Sequence, residues 1–442
     1  MKIAVVALGK IGLPLAVQFA MKGHQVIGCD VNQKTVDLIN AGTEPFPGEA
    51  FLGEYLKKVV ISGDLRATAD TTAAVAESDA VVIVVPLFVD NNGVPDFGWL
   101  DEATVKIAAG LKVGTLVSYE TTLPVGTTRN RFAPALEKGS GLIAGEDFSL
   151  VFSPERVLTG RVFADLRKYP KLVGGINSQS TAAGISFYQA VLDFDERPDL
   201  AQANGVWDLL TCEASEMAKL AETTYRDVNI ALANQFAIFA EGANIDIAKV
   251  ISAANSQPYS HIHQPGIAVG GHCIPIYPRF YLWNDPEATV VRAAREANAA
   301  MPAHAVSLLE SSIGSLDSLD SLAGKKVAVL GISYRGGVKE SAFSGVFGTV
   351  EALEKRGAKV TVHDPMYTDE EVLRLGFTPH TLGSSVDGMI LQADHNEYKS
   401  LTSAQFPGVV AIVDGRRTLD PAAFAGITFR VIGAPPAHSL LT

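Results

Sequence analysis

Two stretches of this chain follow one plan. KIAVVALGKIG…HQVIGCD, over residues 2–30, reads as a short apolar strand, a glycine turn, a helix and a second strand ending in Asp. KKVAVLGISYRGG…AKVTVHDP, over residues 325–365, reads the same way. A strand that turns into a helix and returns as a second strand is the βαβ unit, and parallel strands need helices on both faces. Further strands are predicted at DAVVIVVP (79–86), GTLVSYE (114–120) and FSLVFSP (148–154), each after a helical or loop segment. That alternation predicts a doubly wound parallel sheet.

The texture changes past residue 200. Residues 207–243 are Ala-rich and free of Pro, which predicts one long helix or two end to end. A helix well beyond the usual ~10–14 residues joins domains or packs against a second subunit. ATVVRAAREANAAMPAHAVSLLE (288–310) is a second helical stretch, with Pro302 as a kink or boundary. GSLDSLDSLAG (314–324) is a small polar linker, after which the strand–turn–helix pattern restarts. The fold class is therefore α/β, with two Rossmann-like doubly wound parallel-sheet domains joined by a long central helical segment. The expected boundaries are 1–200, 201–313 and 314–442, in keeping with ~150 residues per domain.

Charge and apolar runs exclude several classes. A net charge of −12 argues against nucleic acid as a partner. An anionic ligand must then be met by a few local cations or by backbone N–H groups. The longest apolar run, AVVIVVPLFV (80–89), is broken by Pro86 and is half the ~20 residues a membrane span needs. The start, MKIAVVALGKIG, has no small-residue cleavage site, so a cytoplasmic protein with no membrane partner is expected. The three cysteines, Cys29, Cys212 and Cys273, are too few and too scattered for a disulfide framework.

Residues 7–12, ALGKIG, match the dinucleotide fingerprint G-x-G-x-x-G except for Ala7 in its first place. Gly9 lets the backbone approach a pyrophosphate, and Gly12 lets helix and strand pack closely. The helix N-terminus offers free N–H groups to the phosphates. Asp30 closes the next strand, 18 residues past Gly12. A carboxylate there accepts the ribose 2′-OH and repels a 2′-phosphate, so NAD is expected over NADP.

GIAVGGHCIPIYPRF (266–280) places Cys273 in a rigid frame of glycines and prolines, an unusual setting for a thiol used only in packing. His261, His263, His272 and Cys273 fall close together, but their spacing fits no common zinc pattern, and no metal is expected.

At this point the chain resembles the UDP-glucose/GDP-mannose dehydrogenase family over nearly its full length. The pieces that carry the resemblance are LGKIGLP (8–14), ETTLPVGTT (120–128), SPERVLTGR (153–161), EMAKLAETTYRDVNIA (216–231), GGHCIP (270–275), LGISYR…KES (330–341) and VDGRR (413–417). Family members oxidise the C6 alcohol of a nucleotide sugar to a carboxylate in two steps, reducing two NAD. An aldehyde is a poor hydride donor. A thiolate adding to it makes a thiohemiacetal, which delivers the second hydride and leaves a thioester for water to hydrolyse.

The resemblance implies roles for individual residues. Cys273 matches the nucleophile and Lys219 the lysine that stabilises developing oxyanions. Glu155 matches the glutamate of general-base or thioester-hydrolysis duty, and Thr122 the threonine that holds a water near the reacting carbon. Leu8, Gly9, Lys10, Ile11, Gly12, Asp30, Pro86, Thr122 and Lys339 are expected at the cofactor. Glu155, Arg156, Val157, Lys219, Arg226, Gly270, Tyr334, Arg335 and Arg416 are expected at the sugar nucleotide, with the two last arginines on its diphosphate. Residues 1–200 are then the NAD-binding domain and 314–442 the UDP-binding domain. A homodimer through the 207–243 helix is also implied.

Four positions depart from the family pattern: Ala7 for glycine, Thr223 for asparagine, Tyr277 for aspartate, and Tyr259 near a customary arginine. Tyr277 matters most, because a phenol with an ordinary pKa near ~10 is a far weaker base than a carboxylate. PERV at 154–157, GGHC at 270–273 and YRDVN at 225–229 resemble the members that act on UDP-N-acetylhexosamines, UDP-N-acetylmannosamine first. UDP-glucose oxidation, a reaction that stops at the aldehyde, and a non-catalytic nucleotide-sugar sensor are the competing readings.

Overall fold

The computed structural model describes residues 1–90, 93–314 and 322–436. Residues 315–321, most of the expected linker, lie outside the described residues. The chain divides into two compact units. The first holds Met1–Glu222 and Arg279–Asn284, and the second holds Thr223–Pro278 and the chain from Asp285 onward.

The first unit is built on an eight-stranded sheet. Its order is Val206–Thr211, Lys171–Gly175, Ser149–Phe152, Leu116–Tyr119, Ala80–Ile83, Lys2–Val6, Gln25–Cys29 and Leu65–Thr68. Strand Lys2–Val6 buries every residue past Lys2, as expected of a strand covered on both faces. Each fully buried Val or Ile there contributes ~1.5–3 kcal/mol by leaving water. Helix Gly12–Met21 buries Leu13, Leu15, Val17 and Phe19 in the same core.

Two features differ from the sequence expectation. The sheet is not wholly parallel: Ser149–Phe152 and Lys171–Gly175 run antiparallel. An antiparallel neighbour can be entered from the end at which the preceding strand left, so the connection between them need not recross the sheet. The long helix also does not begin at 207. Residues Val206–Thr211 form a strand paired in parallel with Lys171–Gly175, and the helix runs Cys212–Gly242. VWDLLT is β-branched and aromatic at its start. Leu210 takes a left-handed φ of 66° in the bulge between Asp208 and Thr211, and the Thr211 hydroxyl accepts the Ala214 N–H to start the helix.

The second unit carries a five-stranded parallel sheet in the order Lys359–His363, Lys326–Leu330, Gly388–Leu391, Ala411–Asp414 and Thr428–Val431. Ala237, Ala240, Met301, Ala305 and Leu309 share one core with Val327, Val329 and Ile390 of this sheet. Helix Thr289–Ile313 continues past Pro302, which packs where Gly348 leaves room; a Cβ at Gly348 would sit 3.2 Å from its ring. No helix among the described residues is long and apolar enough to cross a membrane.

Candidate functional site

The fingerprint turn has the geometry its residues predict, at a cost. Ala7 adopts φ 76°, a left-handed conformation worth about 1 kcal/mol of strain for a residue with a Cβ. Its N–H donates to the Cys29 carbonyl at 2.8 Å. Gly12 is obligatory, because a Cβ there would lie 1.9 Å from the Ala7 carbonyl oxygen. Gly9 is the opposite case. A Cβ at Gly9 would meet nothing within 4 Å, so the space over the turn is open to a ligand. The helix N-terminus beside it has no side-chain cap at Ile11. Asp30 accepts the Leu8 N–H and the Asn32 N–H, one on each oxygen at 2.9 Å, which leaves lone pairs for a ribose hydroxyl. These residues fit a dinucleotide. Leu8 is buried beneath the turn, while Gly9, Lys10 and Pro86 are exposed.

The second unit repeats this clasp. Gly331, at φ 106°, donates to the His363 carbonyl at 2.7 Å. Asp364 accepts the Ile332 N–H at 2.8 Å and, on its other oxygen, the Met366 N–H at 2.9 Å. Here the Ser333 N–H and His395 Nε2 crowd the oxygen that Ile332 uses, at 2.9 and 3.1 Å, and the residue is buried. Burial works against its charge. His395 and the backbone donors outweigh burial and hold the carboxyl below the usual range. The second half thus keeps the turn but not a carboxylate available to a ribose.

Thr122, Glu155, Arg156, Val157 and Lys219 belong to the first unit. Thr122 is buried at the end of Leu116–Tyr119, and Lys219 is buried on helix Cys212–Gly242. Glu216, one turn before Lys219, grips the loop that follows Thr122. It accepts the Gly126 N–H at 2.5 Å, the Thr128 N–H at 2.9 Å and the Thr128 hydroxyl at 2.7 Å. Burial pushes the Glu216 carboxyl up to about 7, against the pull of those donors. Arg156 ties its loop down as well, donating to Glu222 at 2.8 Å and to the Pro170 carbonyl at 3.2 Å.

Glu155 has a partner the sequence reading missed. Lys171 Nζ lies 3.2 Å from Glu155 and 2.7 Å from Glu120, and its side chain is only 4% exposed. Burial pulls the ammonium down, but the two carboxylates outweigh it and hold its pKa above the ordinary value. Glu120 is pushed up, chiefly by burial. Glu120 and Glu216 stood in the stretches 120–128 and 216–231, yet nothing local to either shows what it binds.

Cys273, Gly270, Arg226, Tyr334, Arg335, Lys339 and Arg416 belong to the second unit. Cys273 is exposed, whereas Cys29 and Cys212 are buried with thiols pushed up to about 12 by burial. The cysteine loop is held by the C-terminal sheet's own loops. A Cβ at Gly270 would lie 2.4 Å from Tyr334 Cβ, and the Gly271 N–H donates to the Ala342 carbonyl at 2.8 Å. His272 lies 3.2 Å from Glu340. The Tyr277 N–H donates to the Cys273 carbonyl at 2.9 Å, opening helix Tyr277–Asn284.

Arg416 donates to the Gln392 and Tyr334 carbonyls, so it braces the Tyr334 loop, while Arg335 is exposed beside it. Lys339 is held by both oxygens of Glu371 at 2.6 and 2.7 Å. Arg226 is exposed and Tyr259 is 92% exposed. His261 and His263 lend their backbones to Asn229, at 2.8 Å each. Among the described residues no group of three or more His, Cys, Asp and Glu side chains is placed to hold a metal.

Family models match the chain in three consecutive segments. The UDP-glucose/GDP-mannose dehydrogenase NAD binding domain covers residues 1–192, the central domain 213–300 and the UDP binding domain 328–421. A UDP-N-acetyl-D-mannosamine dehydrogenase of Pyrococcus horikoshii is 34% identical over 98% of this chain and 99% of its own length. A solved structure of UDP-D-ManNAc dehydrogenase from P. horikoshii matches with a TM-score of 0.85 at 32% identity, covering 98% of this chain and 99% of that one. A UDP-glucose dehydrogenase structure from Pyrobaculum islandicum matches nearly as well in shape, with a TM-score of 0.84 at 26% identity and 98% coverage of both chains.

Proposed function

Because the chain belongs to the UDP-glucose/GDP-mannose dehydrogenase family and is an NAD-dependent UDP-sugar dehydrogenase, we propose that it oxidises the C6 hydroxyl of a UDP-N-acetylhexosamine, UDP-N-acetylmannosamine first, through to the uronate. The observation that carries this reading is the contrast among the thiols. One cysteine of three is exposed, and it sits in a glycine loop braced by Tyr334 and Ala342. The sugar is argued from the PERV and GGHC segments and from the relative named a UDP-N-acetyl-D-mannosamine dehydrogenase at 34% identity. The fold itself does not choose, since a UDP-glucose enzyme matches it equally.

Held over the Gly9 turn with a ribose on Asp30, NAD would supply the hydride acceptor for each oxidation. In the first, the C6 alcohol gives its hydroxyl proton to water and its C6 hydride to the cofactor, becoming an aldehyde, with Lys219 balancing charge on the oxygen. Cys273 sulfur then bonds to C6, and the aldehyde oxygen takes a proton. Loss of the hydroxyl proton to water and of the C6 hydride to a second NAD would leave a thioester. Glu155 takes a proton from water as that water adds to the thioester carbon. Collapse breaks the C–S bond and frees the thiolate and the carboxylate. Thr122 holds the water. Arg335 binds the diphosphate directly, and Arg416 shapes the loop that presents it. An enzyme that depends on a free thiol suits a reducing, cytoplasmic setting.

Counting NADH per limiting UDP-N-acetylmannosamine tests the proposal. Two are expected. One would mean the reaction ends at the aldehyde and would point to Tyr277. None, with two per UDP-glucose, would move the substrate assignment. No turnover of any UDP-hexose would favour a sensor.

A homodimer through helix Cys212–Gly242 is part of the same proposal. Tyr225, Leu232, Phe236 and Phe239 are all exposed, at a spacing that puts them on one face over about 20 Å. An apolar stripe of that length left in water is a liability, and a self-complementary helix face pairs readily about a two-fold axis. Light scattering at micromolar concentration is expected to give a dimer, and Phe239→Glu a monomer. A wild-type monomer would defeat the idea.

A further inference from the structure

Lys171 is an odd residue for its place. It opens the strand KLVGG, whose residues are all buried. Its ammonium lies over the Tyr188 ring at 4.9 Å and between two acids, Glu120 at 2.7 Å and Glu155 at 3.2 Å. Glu120 shows no side-chain exposure at all. A buried ion pair of this kind seldom adds net stability over apolar side chains of the same size. One ammonium shared by two carboxyl groups also leaves neither acid with a cation of its own. Such an arrangement needs a reason other than packing.

Glu155 supplies one. Its second oxygen accepts the Arg156 N–H at 2.7 Å, so the carboxylate is held at both ends. The charged and titratable groups packed around it come from every neighbouring element. Arg156 is engaged with Glu222, and Asp165 with Arg161. Tyr169 borders the same small space, and Tyr188 hydrogen-bonds Ser118 at 2.7 Å. Among the described residues, Lys171 is the cation that touches Glu155.

We infer that Lys171 is a positioning residue for Glu155, and that Glu120 is the second carboxylate that shares its ammonium: the ammonium sets the direction of the Glu155 carboxylate and the charge it faces. The inference rests on the reading of Glu155 as the base in thioester hydrolysis. Removing the ammonium leaves Glu155 beside Glu120 with no cation between them. Replacing Glu120 by an amide leaves the ammonium to Glu155 alone.

The test is kcat against pH with NAD and UDP-N-acetylmannosamine, or UDP-glucose if that sugar turns over. Lys171→Met is expected to move the acid limb to higher pH by about one unit. Glu120→Gln is expected to move it to lower pH, with the double variant in between. Opposite shifts are not what a general loosening of the fold produces. Should Lys171→Met fail to fold by circular dichroism, Glu120→Gln, which keeps size and shape, decides alone. A limb that stays in place in Glu120→Gln, or that moves the same way in both single variants, overturns the inference. Glu155→Gln separates the two levels. Wild-type kcat in that variant overturns the base assignment and this inference with it. A loss of about a hundredfold or more there, with an unmoved limb in Glu120→Gln, overturns the inference alone.

Discussion

Cys273→Ala is expected to form at most one NADH per active site and no uronate, with steady turnover lowered on the order of 10³-fold or more. The size of the effect follows from the chemistry. Without the thiol, the second oxidation has no covalent adduct from which hydride can leave. The neighbouring side chains cannot replace it, because no other thiol is exposed among the described residues. The loop should tolerate the change. Its anchors are the Gly271 N–H, the Gly270–Tyr334 contact and the Cys273 carbonyl, none of which uses the sulfur. Binding of NAD and of the UDP-sugar, followed by calorimetry, should stay near wild type. Steady turnover within tenfold of wild type would sink the covalent route.

The second large effect separates two glycines three residues apart. Gly12→Ala puts a Cβ 1.9 Å from the Ala7 carbonyl oxygen and 3.1 Å from its carbon. Neither is a flexible side chain that can step aside. The strand end and the helix must move apart, at a cost of about 3 kcal/mol or more, which lowers the melting temperature by roughly 10 °C for a unit of this size. Gly9→Ala meets no protein atom within 4 Å and lies in no left-handed conformation. Its melting temperature should be unchanged, while NAD binding weakens about tenfold or more because the methyl occupies the cofactor's approach. Thermal melts and NAD titrations of the two variants check this. Equal effects of both variants on stability would contradict it.

The contrast shows what could be read in advance. Strand, turn, helix and strand were legible at both ends of the chain, because short apolar runs bounded by Gly and Asp carry their own period and punctuation. Cys273 stood out for the same local reason. What depended on distant partners was not legible. VWDLLT at 206–211 is too short to declare its period, and its pairing with Lys171–Gly175 settles it. Lys171 alone reads as the solvated start of a strand. Its meaning comes from Glu120 and Glu155, which arrive on other elements. The ion pair of Lys339 with Glu371, on a later helix, is likewise a contact that KES alone does not show.

The interleaving of the two units has a consequence for how the chain is made. Arg279–Asn284 belongs to the first unit but is synthesised after Thr223–Pro278 of the second. Asn284 is not ornamental: its amide pairs with both the N–H and the carbonyl of Val125, at 2.8 and 3.0 Å, in the loop that follows Thr122. Trp283 packs its ring 6.1 Å from that of Phe97. At about 5–20 residues per second, a ribosome delivers Asn284 roughly 3–12 s after Glu222. The nascent sheet can form in that interval, but the Thr122 loop stays unfinished until translation has passed Cys273. A truncated product that ends before Cys273 therefore also lacks a completed first unit.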